Sequence, residues 1–342
     1  MHAGQQVTTT RQASKVAMVS LDNCAPDSTP LIPEVESNGT MDVDEAQRDA
    51  TVIQPPLQER TFAESNYKRF SVAAQAAASQ QDLFADVHKM LTLFATRTNP
   101  WVSEEVIAEG VHSFMAKIRT EAFEQMSMEK DLQHDVDAVA EYLWTSGRKH
   151  ALTKGLELCS VLNAVIRDDV EGEIEAASSI CWCINNRRRL LSTSKGSALV
   201  HLSYPPNGET WRGGGFRNRF RPFFECIKGK KYRVPGFLAT SNQRSVASTF
   251  AFNADKHHAH ALWRVTFDRR GKNSAQHRVQ HVWFVCKTFI PGEGEYLFEP
   301  YSVFTLVSVK WSPDPRKSHK FTIRAAVDNK RESENLPLAP WY

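Results

Sequence analysis

The chain has 342 residues, 41% of them hydrophobic, which is enough to bury at least one full core. Its 42 basic and 39 acidic side chains nearly cancel, so a formal charge of +3 sets up no global field toward nucleic acid or an anionic membrane. No apolar run approaches the roughly 18 residues that span a bilayer, and no secretory core follows the first residues, so a soluble chain inside the cell is expected, cytoplasmic in the first instance.

Residues 1–66 are rich in Thr, Ser, Gln, Pro and Asp, have no aromatic before Phe62 and show no sustained period, which predicts a disordered tail. The first 21 residues lack acidic side chains and carry Arg11 and Lys15 among Ser and Thr, a pattern that keeps organellar import as an alternative address. Residues 67–200 read as helices. Leu83, Val87, Met90, Leu91 and Phe94 recur at helical spacing, as do Ile107, Val111, Phe114 and Ile118, and Asn99-Pro100 breaks the chain between the two stripes. Further helices are predicted from Val136, Val139, Ala140 and Leu143, from Leu158, Leu162, Val165 and Ile166, and around Ile174 to Cys181. The six cysteines are scattered without a C-x-x-C pair, and Cys181 and Cys183 are two apart in a helix, so they read as buried reduced thiols.

Past Arg187–Arg189 the texture changes, and Pro205-Pro206-Asn207-Gly208 marks a turn into a β-rich region, 201–342. Strands are predicted at Thr210–Arg212, Phe237–Thr240, Ala261–Phe267, His281–Val285, Glu295–Phe298, Ser302–Val309 and Phe321–Arg324, with one helix at Arg244–Phe252. Many strands and few helices predict an α+β chain whose sheets pack as a sandwich, in place of a doubly wound parallel sheet. Arg217, Arg219, Arg221, Lys228, Lys230, Lys231 and Arg233 alternate with Phe216, Phe220, Phe223 and Phe224; this reads as solvated surface ahead of a nucleic-acid face or a guide for anions. His257, His258 and His260 read as a solvated loop, since adjacent histidines do not face one ion in regular structure, and no metal is predicted.

Glu293-Gly294-Glu295 puts carboxylates at i and i+2 where a loop becomes a strand, so both are expected on one face, with mutual repulsion raising the pKa of at least one. The pair fits a solvated acidic turn, or an acid pair for a reaction that passes through a positively charged sugar.

Two other segments recur with this one, in chain order, in a known family. The C-terminal half resembles the arginine-type mono-ADP-ribosyltransferases, whose hallmark is an arginine strand, a Ser-Thr-Ser strand and a Glu-x-Glu strand. Here these look like Thr210-Trp211-Arg212-Gly213-Gly214, then Gly236-Phe237-Leu238-Ala239-Thr240-Ser241 with the helix Arg244-Ser245-Val246-Ala247, then Glu293-Gly294-Glu295. Tyr296-Leu297-Phe298-Glu299-Pro300-Tyr301-Ser302-Val303-Phe304 resembles the stretch that follows the family's catalytic glutamate. Glu141–Ser146 and Cys159–Asn163 look like the helices that precede its arginine strand, so the resemblance covers about residues 136–309.

The resemblance implies an N-terminal helical region followed by a two-sheet β-sandwich core that binds NAD⁺. It implies transfer of ADP-ribose from NAD⁺ to an arginine of a protein acceptor, without a metal. Glu295 would hold a ribose hydroxyl, and a carboxylate there stabilises oxocarbenium character more than the ground state. Arg212 offers a permanently charged fork to the pyrophosphate or an adjoining ribose, and the main chain at Gly213 and Gly214 would approach the nicotinamide. As a turn, those glycines lack the spacing of a phosphate loop or a dinucleotide fingerprint. Glu293 would orient the guanidinium and help take its proton, or merely cap the turn. Phe289 would touch the protein acceptor, or serve packing. Thr240 and Ser241 complete the NAD⁺ site, but Ala239 replaces the family's usual first serine, whose hydroxyl helps hold the glutamate. That departure leaves two alternatives beside the transferase: an NAD⁺ glycohydrolase with water as acceptor, and a non-catalytic interaction module.

Overall fold

Three short polar side chains set where the first helices begin and end. Asp82 caps the helix Leu83–Thr98 (α2): its carboxylate accepts from the N–H groups of Phe84 and Ala85, both at 3.1 Å, where the first turn has no internal acceptor. Asn99 closes the same helix by donating to the carbonyls of Ala95 and Leu152, both at 2.9 Å, and Pro100 forbids continuation. Asp169, in the left-handed region at φ 56°, ends Leu158–Asp168 (α5). The same residue starts Asn66–Ala76 (α1), because its carboxylate accepts from the N–H groups of Asn66 at 2.9 Å and Tyr67 at 3.0 Å.

The structure, a computed structural model, describes residues 60–76, 82–127, 136–193, 204–254, 258–286, 288–290 and 292–340. They belong to one compact unit, Pro55–Tyr342. The remaining helices of the first half are Glu104–Ser127 (α3), Val136–Trp144 (α4) and Glu171–Thr193 (α6). The two predicted apolar stripes, on α2 and α3, are buried in one core with α4, α5 and α6, and Cys181 and Cys183 lie inside it. Among the described residues no helix is long and apolar enough to cross a membrane.

Residues 60–66, assigned to the tail from composition, are instead packed. Arg60 pairs with Asp169 at 3.5 Å, Thr61 bridges Pro337, and the rings of Phe62 and Tyr67 lie 4.9 and 5.2 Å from that of Tyr301. The reason is non-local: the partners lie more than a hundred residues away and leave no periodic trace nearby. The rest of the tail, 1–59, lies outside the described residues. Asp169→Ala is expected to cost about 2 kcal/mol in urea denaturation, since two helix N–H groups, that of Tyr67 buried, and Arg60 lose their acceptor. Asp169→Asn should recover about half of that, because asparagine tolerates the left-handed backbone and keeps one acceptor oxygen.

Among the described residues eight strands follow: Glu209–Phe216 (β1), Lys231–Val234 (β2), Leu238–Ser241 (β3), Ala259–Thr266 (β4), Val282–Phe284 (β5), Glu295–Phe298 (β6), Ser302–Lys310 (β7) and His319–Ala325 (β8). Among these described residues the α-helices Arg221–Cys226 (α7) and Arg244–Phe252 (α8) interrupt them. The strand order is β2-β7-β8-β4-β1-β3-β6-β5, and every pair is antiparallel except β4 with β8.

The two sheets expected from the sequence are therefore one continuous ladder. Alternation tells which face of a strand is buried but not which edges pair, so the joint between β1 and β3 was not readable. That joint consists of the single pair Trp211↔Ser241, whereas β1 and β4 pair along their whole length from Glu209↔Thr266 to Phe216↔Ala259. The sheet curls, and its inner face closes on Phe216, Tyr232, Leu238, Trp263, Tyr296, Phe298, Phe304 and Phe321. Its outer face at β3, β6 and β5 lays Ala239, Leu297 and Trp283 on the helical core.

The basic, aromatic run from Phe216 to Arg233 is only partly surface. Phe216 and Phe224 are inner-core residues, and Arg233 is 2% exposed, its guanidinium donating to the carbonyls of Tyr301 at 2.9 Å and Ser333 at 3.0 Å. The rings are thus not a stacking platform for bases.

Candidate active site

Where β1 and β3 part, the chain opens a cleft of about 350 Å³. Arg212 follows Trp211, the β1 residue that pairs with β3, and its Nη1 donates to the carbonyl of Ala239 on β3 at 2.9 Å. Register then carries the row across the sheet: Trp211 pairs with Ser241, and Ser241 pairs with Glu295, the first residue of β6. Arg212, Glu293 and Glu295, though up to 83 positions apart in the chain, line the same cleft.

Glu293 reaches it by a route that alternation does not describe. It precedes β6 and is flanked by Gly292 at φ 94° and Gly294 at φ 59°, both in the region that L side chains avoid. A Cβ on Gly294 would also lie 2.2 Å from Oδ1 of Asn242. The glycines, not the period of a strand, bring the two carboxylates to one side. Ser241 anchors the turn by donating Oγ–H to the carbonyl of Glu293 at 2.5 Å, and Gln243 donates Nε2–H to that of Gly292 at 2.6 Å.

Glu295 lines the cleft partly exposed, with most of its surroundings filled by protein. Burial pushes its pKa up to about 7; Nε1–H of Trp144, at 3.0 Å from Oε1, and the Arg212 charge oppose the rise, and Glu293 adds a smaller push upward. The pKa of Glu293 is also raised, first by burial and then by the facing carboxylate of Glu157. Mutual repulsion within the pair contributes to the rise at Glu295 but is secondary to desolvation.

The other predicted residues divide. Thr240 and Ser241 line the cleft, but Thr240 spends its hydroxyl on the carbonyl of Tyr296 at 2.9 Å. Gly213 lines it too, yet its missing side chain faces the backbone of α8, where a Cβ would fall 1.7 Å from the Ala247 carbonyl oxygen. Gly214 is not among the lining residues, and a Cβ there would make ordinary contact with Trp263 at 3.7 Å. Phe289 is turned inward: its ring packs 5.2 Å from Tyr142 and its N–H donates to Oγ1 of Thr145 at 3.1 Å. Ile290, 44% exposed, takes the place at the cleft rim, facing Phe250 of α8, 54% exposed. Sequence reasoning missed Trp144, Glu157 and Asn163, the last of which holds the backbone of Phe237 before β3 through bonds of 2.8 and 3.3 Å. Among the described residues no three His, Cys, Asp or Glu side chains gather as a metal site; His257 lies outside them.

The arrangement combines a fixed guanidinium for an anion with a desolvated carboxylate for developing positive charge, and adds a second carboxylate at the mouth.

No protein-family model and no curated protein matches the chain. Among solved structures it is similar to the type III effector XopAI from Xanthomonas axonopodis pv. citri, at 14% identity over 76% of this chain and 91% of that one, with a TM-score of 0.44. It is similar to the ADP-ribosyltransferase HopU1 of Pseudomonas syringae pv. Tomato DC3000, at 16% identity over 56% and 76%, with a TM-score of 0.39. It is also similar to the C3 exoenzyme of Clostridium limosum, at 14% identity over 62% and 94%, with a TM-score of 0.38.

Proposed function

We propose that this chain is an NAD⁺:protein-arginine mono-ADP-ribosyltransferase. The observation that carries the reading is the convergence of Arg212, Glu293 and Glu295 on one cleft, with Glu295 desolvated at its base. Arg212 takes the pyrophosphate or the adjoining ribose, and the carboxylate of Glu295 holds a hydroxyl of the nicotinamide ribose. Thr240 and Ser241 form the wall between them.

In the reaction the bond from C1′ of the ribose to the nicotinamide nitrogen breaks, and its electron pair leaves with nicotinamide, which departs neutral. The positive charge left on the sugar faces Glu295, which is worth most where water is excluded. A guanidino nitrogen of the acceptor forms the new bond to C1′ and gives up its proton to Glu293, whose raised pKa makes it a stronger base than an ordinary carboxylate. The rim residues Ile290 and Phe250 offer apolar contact to a protein acceptor, the part given to Phe289 from the sequence. A cytoplasmic setting, where NAD⁺ and protein acceptors meet, accords with this reading.

The test is incubation with NAD⁺ labelled in its adenylate half, with and without agmatine, following nicotinamide release and label transfer. Transfer to agmatine supports the reading. Release without transfer makes water the acceptor, and neither product leaves a binding module and overturns the proposal. Glu293→Gln is expected to lower transfer about 100-fold while nicotinamide release falls less than tenfold, because only the acceptor's proton loses its base. Equal losses in both would reassign Glu293 to the ribosyl step.

A further inference from the structure

Two side chains on β3 that face the cleft have their hydroxyls committed elsewhere. Ser241 donates to the carbonyl of Glu293 and accepts from the N–H of Gln243 at 2.9 Å, and Thr240 donates to the carbonyl of Tyr296. Ala239, on the same strand and in the same cleft, has only a methyl group. The donor that does reach the carboxylate of Glu295 comes from a different part of the chain, 151 residues earlier: Nε1–H of Trp144, at the C-terminal end of α4, 3.0 Å from Oε1.

Trp144 is itself held still. It is 5% exposed, its ring lies 4.9 Å from that of Phe237, and Phe237 is pinned by Asn163 through both of its backbone groups. The next residue, Thr145, accepts from the N–H of Phe289, so the end of α4 grips the strand that carries Glu295 and the loop that leads to it. An indole N–H is a donor only and cannot be lost by titration in water, so it offers one fixed direction to one carboxylate oxygen and leaves the second for a substrate hydroxyl.

We infer that Trp144 is the positioning residue of this site: its indole N–H holds the Glu295 carboxylate in the orientation that faces the ribose, a task that no hydroxyl of β3 performs in this chain. The inference rests on the transferase reading for its kinetic consequences but not for the hydrogen bond itself, and the experiment separates the two.

In ¹⁵N-labelled protein the Trp144 indole signal, one of 8 and identified by its loss in Trp144→Phe, is expected to shift with pH around the Glu295 midpoint of about 7 and to stop doing so in Glu295→Gln. No such titration, or one that persists in Glu295→Gln, overturns the inference whether or not the protein turns over NAD⁺. In the kinetic arm, Trp144→Phe keeps an aromatic ring beside Phe237 while removing the donor. The carboxylate then loses a bond that favours its ionised form, so the acidic limb of kcat/KM should move to higher pH. kcat should fall about tenfold or more at neutral pH, with KM for NAD⁺ little changed. A variant with an unmoved pH limb and a raised KM would make Trp144 a packing residue and overturn the assignment. If the parent releases no nicotinamide while the indole still titrates with Glu295, the transferase reading fails and the positioning contact stands.

Discussion

Glu295→Gln is expected to lower nicotinamide release by about three orders of magnitude and, at pH 8, to raise the melting temperature by several degrees. Both effects come from one property. Burial moves the pKa of Glu295 from an ordinary 4.5 up to about 7, so the folded chain keeps a proton over a range in which the unfolded chain has lost it. Folded protein binds the extra proton between those values. Stability from this group is therefore present below about 4.5, is lost as pH rises, and is fully lost above about 7, for a cost of roughly 3 kcal/mol by linkage. Glutamine never carries the charge, so it removes the cost at pH 8 and nothing at pH 4, while its amide oxygen still accepts from Trp144. Melts of parent and variant at the two pH values check this: a gap that does not grow with pH would show that the carboxylate is not desolvated.

The same titration predicts the pH dependence of activity. The reaction uses the ionised carboxylate, so kcat/KM should rise with pH through about 7, the value of the free protein. In the complex the cationic nicotinamide ribose favours the ionised form, and the limb in kcat should lie at lower pH. This order, an activity gained at the same pH at which stability is given up, is what a desolvated carboxylate at a cation-forming centre requires.

How much of this could be read from residues alone depended on whether the cause was local. The stripes of α2 and α3, the helix Arg244–Phe252 and strands such as Glu295–Phe298 are written in spacing and turn chemistry, and the structure has them where the spacing says. The strand Lys231–Val234 was missed because its basic residues look solvated, yet Arg233 is buried by four backbone carbonyls that no local pattern announces. The length of α6 was missed for a related reason: Asn185 to Arg189 are all polar, and that run interrupts the apolar period. Arg212, Glu293 and Glu295 could be singled out by residue type and order, but their convergence depends on a joint of one residue pair between β1 and β3. Trp144 lies in the stretch Glu141–Ser146 that resembles a helix of the family, yet nothing there gave it a role, since a tryptophan ending an apolar helix reads as core until its N–H is seen at a carboxylate.

The two glycines after Arg212 carry the second large effect. From the sequence, Gly213 and Gly214 looked equivalent, each a place where backbone could approach a ligand. In the structure they differ. A Cβ on Gly213 would fall 1.7 Å from the carbonyl oxygen of Ala247 and 2.4 Å from the nitrogen of Ala251, both main-chain atoms of α8 that cannot rotate aside. The helix would have to lift from β1, and it carries Val246, Ala247 and Phe250, one wall of the cleft. Gly213→Ala is therefore expected to cost about 3 kcal/mol or more in denaturant unfolding and to abolish saturable NAD⁺ binding in the fraction that folds. Gly214→Ala, whose new methyl meets only the ring of Trp263 at ordinary distance, should change stability by less than about 1 kcal/mol and leave binding near that of the parent. If the two variants are equally stable and Gly214→Ala is the one that loses NAD⁺, the glycines serve the ligand and the close passage of α8 is not what selects them.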